Sequence, residues 1–233
     1  MFCRIIDYIE FVSRINKGGS KVQVLGIVCS PRKGGNTEIL VQESLSSAEE
    51  HGATTELLTI WDKDVKPCDG CYSCDKTGAC HIKDDMQAIY PNILSADGII
   101  WGTPVYFYDV TAQAKILIDR SYALYTKGGL TNKVGGVISV AGSLGHLAVW
   151  NLFSAFFSVS HMLSTDLVAG YATKKGEIRK DKHAMKSARE LGRQLVLLIE
   201  RQFQYPEQYT LTIARYVERE CGINRSPAAG RFD

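Results

Sequence analysis

From Lys21 onward the chain alternates two hydrophobic patterns. Val22–Val28 (VQVLGIV) is a short β-branched apolar run that ends in a Ser/Pro/Gly-rich turn, which predicts a strand buried on both faces. A helical pattern follows from about Thr37 to Glu50. Thr54–Ile60 (TTELLTI) is the second strand, and an amphipathic segment comes after Asp84. Asp97–Pro104 (DGIIWGTP) reads as the third strand and Gln113–Tyr125 as a helix. Lys133–Gly142 (KVGGVISVAG) reads as the fourth strand, His146–Leu163 as a long apolar helix, and Asp166–Ala172 (DLVAGYA) as the fifth strand. A last helix covers about Asp181 to Phe203, with Met185, Ala188, Leu191, Leu195, Leu198 and Ile199 at helical spacing.

Five strands alternating with five helices imply right-handed βαβ units: an α/β fold with a doubly wound parallel sheet covered on both faces. In such sheets a ligand sits beyond the carboxyl ends of the strands, where the strand order reverses. The loops after strands one, three and four are therefore the ones to inspect. Two regions exceed this unit. Residues 1–20 place Phe2, Ile5, Ile6, Ile9 and Val12 on one helical face, and residues 205–233 contain a further helical pattern at 210–220. Each reads as an extension of the 21–204 domain, packed on it or on another subunit.

Composition narrows the function classes. The chain has 233 residues, 45% of them hydrophobic and 22% charged, with a formal net charge of +2. That suits one full globular core and argues against a nucleic-acid binder working through a broad basic field. No apolar run reaches about 18 residues, so no membrane span is expected. Asp7 and Glu10 interrupt the apolar N-terminus, which does not read as a signal peptide. Seven cysteines, an odd number with no secretion signal, point to a reducing cytoplasm.

Four of those cysteines lie in a loop, residues 61–82, that follows strand two. A loop of this length with few large apolar residues needs something to order it. Cys68, Cys71, Cys74 and Cys80 have the spacing C-x2-C-x2-C-x5-C. Thiolates bind soft metals, and successive x2 intervals let one tight turn present several sulfurs to a single centre, with Gly70 and Gly78 permitting the bends. Cys71 would be shared by both C-x2-C knuckles, so two independent zinc knuckles cannot form. The pattern favours an iron–sulfur cluster over zinc. The other reading is a set of free or disulfide-switching thiols.

The loop after strand one runs Cys29-Ser30-Pro31-Arg32-Lys33-Gly34-Gly35-Asn36-Thr37 and opens a helix. Helix N-terminal N–H groups bind anions. Ser30, Asn36 and Thr37 can donate to phosphate oxygens, Arg32 can add a charge-assisted bond, and Gly34 and Gly35 let the backbone come close. The loop is neither G-x-x-x-x-G-K-[ST] nor G-x-G-x-x-G, so a single terminal phosphate is favoured over a nucleoside triphosphate. A capped βα turn is the plainer alternative. After strand three, Pro104, Val105, Tyr106 and Phe107 make an aromatic-rich loop suited to a flat ring system, or to an oligomer contact. After strand four, Ala141, Gly142 and Ser143 leave room for a ring edge, and His146 is either a group that polarises a ring carbonyl or a solvated loop histidine.

S-P-R-K-G-G-N-T after strand one, T-P-V-Y-F after strand three and A-G-S after strand four resemble the flavodoxin-like NAD(P)H-dependent FMN reductase superfamily. The compact cysteine motif followed by Asp84-Asp85-Met86 is similar to its iron–sulfur flavoprotein branch. The resemblance covers roughly residues 22–204, and Cys29 stands where such loops often carry glycine. It implies a flavodoxin-like five-stranded sheet in the order 2-1-3-4-5. It implies FMN at the carboxyl edge, with its phosphate on Ser30, Arg32, Gly35, Asn36 and Thr37 and its ring framed by Pro104–Phe107, Ala141–Ser143 and His146. It also implies a 4Fe–4S cluster on Cys68, Cys71, Cys74 and Cys80, and a homo-oligomer, dimer or tetramer, in which a cluster approaches FMN.

The expected function is that of a redox flavoprotein. It would couple a one-electron carrier such as ferredoxin, through the cluster and FMN, to a two-electron acceptor. No side chain is expected to act as acid or base. Two alternatives stand beside it: an NAD(P)H-dependent FMN or quinone reductase without a cluster, and a zinc-stapled binding module.

Overall fold

Five of the six residues of β1 (Gln23–Val28) are buried, and all eight of β4 (Val134–Ala141). Strands in the middle of a sheet sandwiched by helices need apolar residues on both faces. In the computed structural model, which describes residues 21–206 and 220–222, these two strands join β2 (Thr54–Thr59), β3 (Gly98–Pro104) and β5 (Leu163–Tyr171) in one sheet. Its order is β2-β1-β3-β4-β5, and every pairing is parallel. This is the flavodoxin-like arrangement that the resemblance implied. The expected 1–20 helix, and nearly all of the 210–220 helix, lie outside the described residues.

Helices α1 (Asn36–Glu50) and α7 (Lys182–Glu200) cover one face. Leu40, Val41, Leu45, Leu191 and Leu195 pack there on Val24, Val28, Ile100 and Ile138. Helices α3 (Met86–Ser95), α4 (Ala112–Arg120) and α6 (His146–Val159) cover the other. Met86, Ile89, Leu117, Phe153 and Phe157 pack there on Leu25, Ile27, Ile99 and Trp101. Each large side chain fully buried this way contributes about 1.5–3 kcal/mol. Two short helices remain, α2 (Ser73–Thr77) inside the cysteine loop and α5 (Tyr122–Tyr125) after α4.

The tightest approach is between α1 and α7. Ser44 Oγ donates to Ala188 O at 2.5 Å, and a Cβ on Gly192 would stand 2.0 Å from Ser44 O. Gly192→Ala must therefore push the helices apart against backbone. It is expected to destabilise the fold by at least about 1–3 kcal/mol, measured as a lower urea midpoint at unchanged m-value.

Several boundaries differ from the pattern reading. The helix read over Gln113–Tyr125 breaks at Ser121, whose hydroxyl donates back to Leu117 O at 2.7 Å, a bond that bends helices. The helix read to Leu163 ends at Val159, because His161 takes a left-handed φ of 53°. β5 then starts at Leu163 rather than Asp166, since it is the edge strand and its solvent-facing Ser164 and Asp166 mask its apolar alternation. A short 3-10 turn, Glu177–Lys180, precedes α7, which ends at Glu200 rather than Phe203. Among the described residues no helix is long and apolar enough to cross a membrane.

Candidate flavin and cluster sites

The ends of β1, β3 and β4 are stitched together at the carboxyl edge of the sheet. Cys29 N donates to Gly102 O at 2.7 Å and Val105 N to Val140 O at 2.8 Å. Thr111 Oγ1 donates to Cys29 O at 2.7 Å and, as the N-cap of α4, accepts from Ala114 N at 3.2 Å. The three loops singled out from sequence are thus neighbours on one rim. Burial pushes the Cys29 thiol far up, so it stays protonated and inert beneath them.

The first loop fits a phosphate. Its helix, α1, has Gly35 as N-cap with no side-chain cap. The N–H groups of Asn36, Thr37 and Glu38 have no acceptor among the described residues, and the Glu38 carboxylate turns back beside them to accept from Gly34 N at 2.7 Å. Ser30 Oγ is buried and accepts from Arg32 N at 3.2 Å. A Cβ on Gly35 would meet Arg32 O at 3.1 Å and Ser30 Oγ at 3.7 Å, filling the inner side of the turn. Arg32 is exposed at its mouth. Asn36 is engaged differently from the sequence reading. Its Nδ2 donates to Lys174 O at 2.8 Å and its Oδ1 accepts from Ile178 N at 3.4 Å, so the side chain clamps the loop after β5 and only its backbone N–H faces the turn. That clamp brings Lys175 in, its Nζ 3.4 Å from where a Cβ on Gly34 would stand. The sequence reading missed Lys175, because only the fold carries it to this rim.

The second loop is strained. Tyr106 N donates to Asp109 O at 2.9 Å and Asp109 N to Tyr106 O at 3.1 Å, closing a two-residue hairpin turn. Its central residues Phe107 and Tyr108 have φ of 47° and 68°. Such turns favour Asn and Gly, and a left-handed conformation costs other residues about 1–2 kcal/mol each. Phe107 is 98% exposed. Strain of this kind clusters at ligand sites. Gly145 fits the third loop against this turn: a Cβ there would lie 2.5 Å from Val105 Cγ1 and 3.0 Å from Tyr108 Cα. Gly142 and Ser143 are exposed on the rim beside them. His146 turns inward. Its Nδ1 lies 2.7 Å from Ser139 Oγ, its Nε2 is covered, and its ring stands edge-on to Tyr171 at 4.9 Å. Burial lowers its pKa, so it is neutral at pH 7 and supports the loop from below.

The cysteine loop is held at its base by a buried ion pair. Arg120 and Asp84 have side chains 0% and 1% exposed and form a bidentate contact at 2.6 and 3.0 Å. Arg120 Nη1 also donates to Lys66 O at 2.8 Å, while Asp84 accepts from Lys66 N at 2.9 Å and Met86 N at 3.1 Å. Gln87 Nε2 donates to Ile82 O at 2.7 Å. Both ends of the loop are thereby fixed to α3 and α4. Burial alone would raise the Asp84 pKa, but the bonds from Arg120, Lys66 and Met86 outweigh it and hold the carboxyl below the usual range. The Asp84-Asp85-Met86 run marked one half of this clamp in sequence; Arg120 was not marked.

All four motif cysteines are free thiols. Cys68 and Cys71 are exposed, whereas Cys74 and Cys80 are half-buried and pack on the core. Burial raises the Cys74 thiol, and charge on Asp75, Cys80 and Cys71 raises it further. Gly70 and Gly78 take the left-handed φ values, 72° and 73°, that the bends require. No three of the four sulfurs lie within 4.8 Å of one another. A single tetrahedral ion holds its ligand atoms about 3.3–3.8 Å apart. As they stand, the four sulfurs are not gathered for a single tetrahedral ion.

Residues 22–175 match the family described as NADPH-dependent FMN reductase. An iron–sulfur flavoprotein of Methanocaldococcus jannaschii is 37% identical over 188 residues, covering 76% of this chain and 97% of that protein. An iron–sulfur flavoprotein of Methanosarcina thermophila is 43% identical over 123 residues, 52% of this chain and 64% of that protein. Among solved structures, RosB with bound 8-demethyl-8-formylriboflavin-5'-phosphate superposes with a TM-score of 0.68 at 16% identity, over 91% of this chain and 95% of that one.

Proposed function

Because this chain belongs to the NADPH-dependent FMN reductase family, in its iron–sulfur flavoprotein branch, we propose that it is a flavin-dependent oxidoreductase coupling a one-electron carrier such as ferredoxin to a two-electron acceptor. When bound, FMN stores an electron pair and a 4Fe–4S cluster supplies single electrons. The protein's task is to hold, orient and shield. The observation that carries the reading is the pairing of two distinct sites in one fold: an uncapped helix N-terminus beside a strained aromatic turn, and a clamped loop of four free thiols.

The first-turn N–H groups of α1, with Ser30 Oγ and the Arg32 guanidinium, would take the FMN phosphate, and Gly35 keeps the turn open for it. Pro104–Phe107 and Ala141–Ser143 would frame the ring. Ser139 and Tyr171 hold His146 beneath that frame, where burial disfavours its charged form. Cys68, Cys71, Cys74 and Cys80 would hold the cluster. A dimer or tetramer, bringing the cysteine loop of one subunit towards the flavin rim of another, belongs to this reading.

Iron, acid-labile sulfide and FMN per chain of anaerobically purified protein test it. About four irons, four sulfides and one FMN are expected; FMN without iron would overturn the cluster. Arg32→Ala is expected to weaken FMN binding by about 1.5–3 kcal/mol, the usual worth of a hydrogen bond to a charged group, read by flavin-fluorescence titration of the apoprotein. The family match favours a second donor, NADPH. Flavin bleaching by NADPH alone, at the rate seen with reduced ferredoxin, would replace the carrier by nicotinamide.

A further inference from the structure

Beside the four thiols lies a second ligand set that the cluster reading does not use. The ligand atoms of Asp69, Cys71 and His81 all lie within 4.8 Å of one another, and among the described residues no other three His, Cys, Asp or Glu ligand atoms come so close. Asp69 Oδ2 is 2.7 Å from His81 Nε2, and Asp69 Oδ1 accepts from Cys71 N at 3.2 Å. The three groups come from two stretches of the loop twelve residues apart. They offer one thiolate, one imidazole and one carboxylate, the mixed donors that suit zinc or iron(II).

We propose that Asp69, Cys71 and His81 form a mononuclear site for a divalent transition ion, zinc or iron(II), which excludes the iron–sulfur cluster because both need Cys71. The spacing separates the two states. A single ion needs ligand atoms closer together than the four thiols stand, and only this triad approaches that requirement. On binding, the Cys71 thiol proton goes to solvent and the ion takes the place of the hydrogen that His81 Nε2 directs at Asp69; the imidazole proton moves to Nδ1. Three protein ligands leave one position open to water, and all three are exposed. Such an ion exchanges readily, as a staging or blocking ion on a cluster loop must. The exclusion, though not the site itself, rests on the cluster reading above.

The test uses full-length protein stripped of metal under reducing, anaerobic conditions, titrated with cobalt(II) as spectroscopic probe and then with zinc in competition. One cobalt per chain is expected, with the charge-transfer intensity of a single thiolate. His81→Ala and Asp69→Asn, both changes at exposed side chains, should each weaken binding about tenfold or more, given that even outer-shell partners of metal ligands are worth 10–100-fold. Cys80→Ser should leave cobalt binding unchanged, and Cys71→Ser should abolish it. Zinc-loaded protein should fail to take up iron and sulfide, and His81→Ala protein should take them up even with zinc present. Cobalt binding unchanged in both His81→Ala and Asp69→Asn, or an intensity of three or four thiolates, overturns the site. Normal cobalt binding by a protein that never takes up iron and sulfide, even without zinc, keeps the site and sinks the cluster reading instead.

Discussion

Arg120→Met is expected to lower the free energy of unfolding by about 3–5 kcal/mol, the cost of stranding one partner of a buried ion pair. Asp84 would remain as a charge only 1% exposed, with its bidentate partner gone. Lys66 O would lose its donor at the same time. The damage therefore has a local address: residues 66–84, which carry the thiols. Urea unfolding measures the stability and iron content measures the loop, and both are expected to fall. A double variant separates the two effects. Asp84→Leu with Arg120→Met removes both charges, and apolar replacement of a buried pair is often neutral or better. Stability should then largely return while iron content stays low, because Lys66 N–H and O still lack partners. A single variant as stable as the parent would remove the pair from the account of this fold.

The same pair sets an acid limit. The Asp84 carboxyl sits lower in the folded protein than in the unfolded chain. Its contribution to stability is therefore fully present above the ordinary carboxylate pKa of about 3.9 and is lost as pH falls through the lowered value. Arg120→Met should flatten the acid limb of the stability profile below about pH 4, and an unchanged limb would show that other carboxylates set it.

Cys74→Ser is expected to take iron from about four per chain, the content of a 4Fe–4S protein, to below about one, with FMN content unchanged. Cys74 is half-buried and packs on the core with Cys80, whereas Cys68 and Cys71 are exposed. Its thiol is raised by burial and by charge on Asp75, Cys80 and Cys71. Several thiolates so placed repel one another unless a cation neutralises them, so the anchored position matters most. The proposed flavin rim lies at the ends of β1, β3 and β4, apart from this loop in sequence, and a hydroxyl at residue 74 is expected to leave it untouched. Iron retained at the parent level would remove Cys74 from the ligand set, and loss of FMN together with iron would mean that the two sites are not independent.

The order of five strands and the helices between them follow from local pattern. A β-branched apolar run such as VLGIV can be buried only between two layers, and right-handed crossovers leave few topologies. The cysteine motif and the Ser/Gly-rich loop after β1 could be singled out as candidates for a related reason: each is a contiguous stretch whose chemistry depends on local spacing. The edge strand β5 was read short because its outward polar positions mask the alternation that marks it.

What remained hidden depends on elements meeting across the fold. Arg120 and Asp84 stand 36 residues apart and Asn36 and Lys174 stand 138 apart, and only the docking of helices and loops on the sheet makes partners of them. The left-handed turn at Phe107–Tyr108 has no Asn or Gly to announce it and is imposed by its closing hydrogen bonds and by Gly145 packed against it. His146 faces inward because Ser139 and Tyr171 wait for it on neighbouring strands. The sequence by itself determined which elements form and which chemistry they can carry, since propensity, periodicity and ligand spacing act over a few residues. The tertiary structure decided which of those groups meet, because the low dielectric and close packing that pair Arg120 with Asp84 exist only once distant segments are brought together.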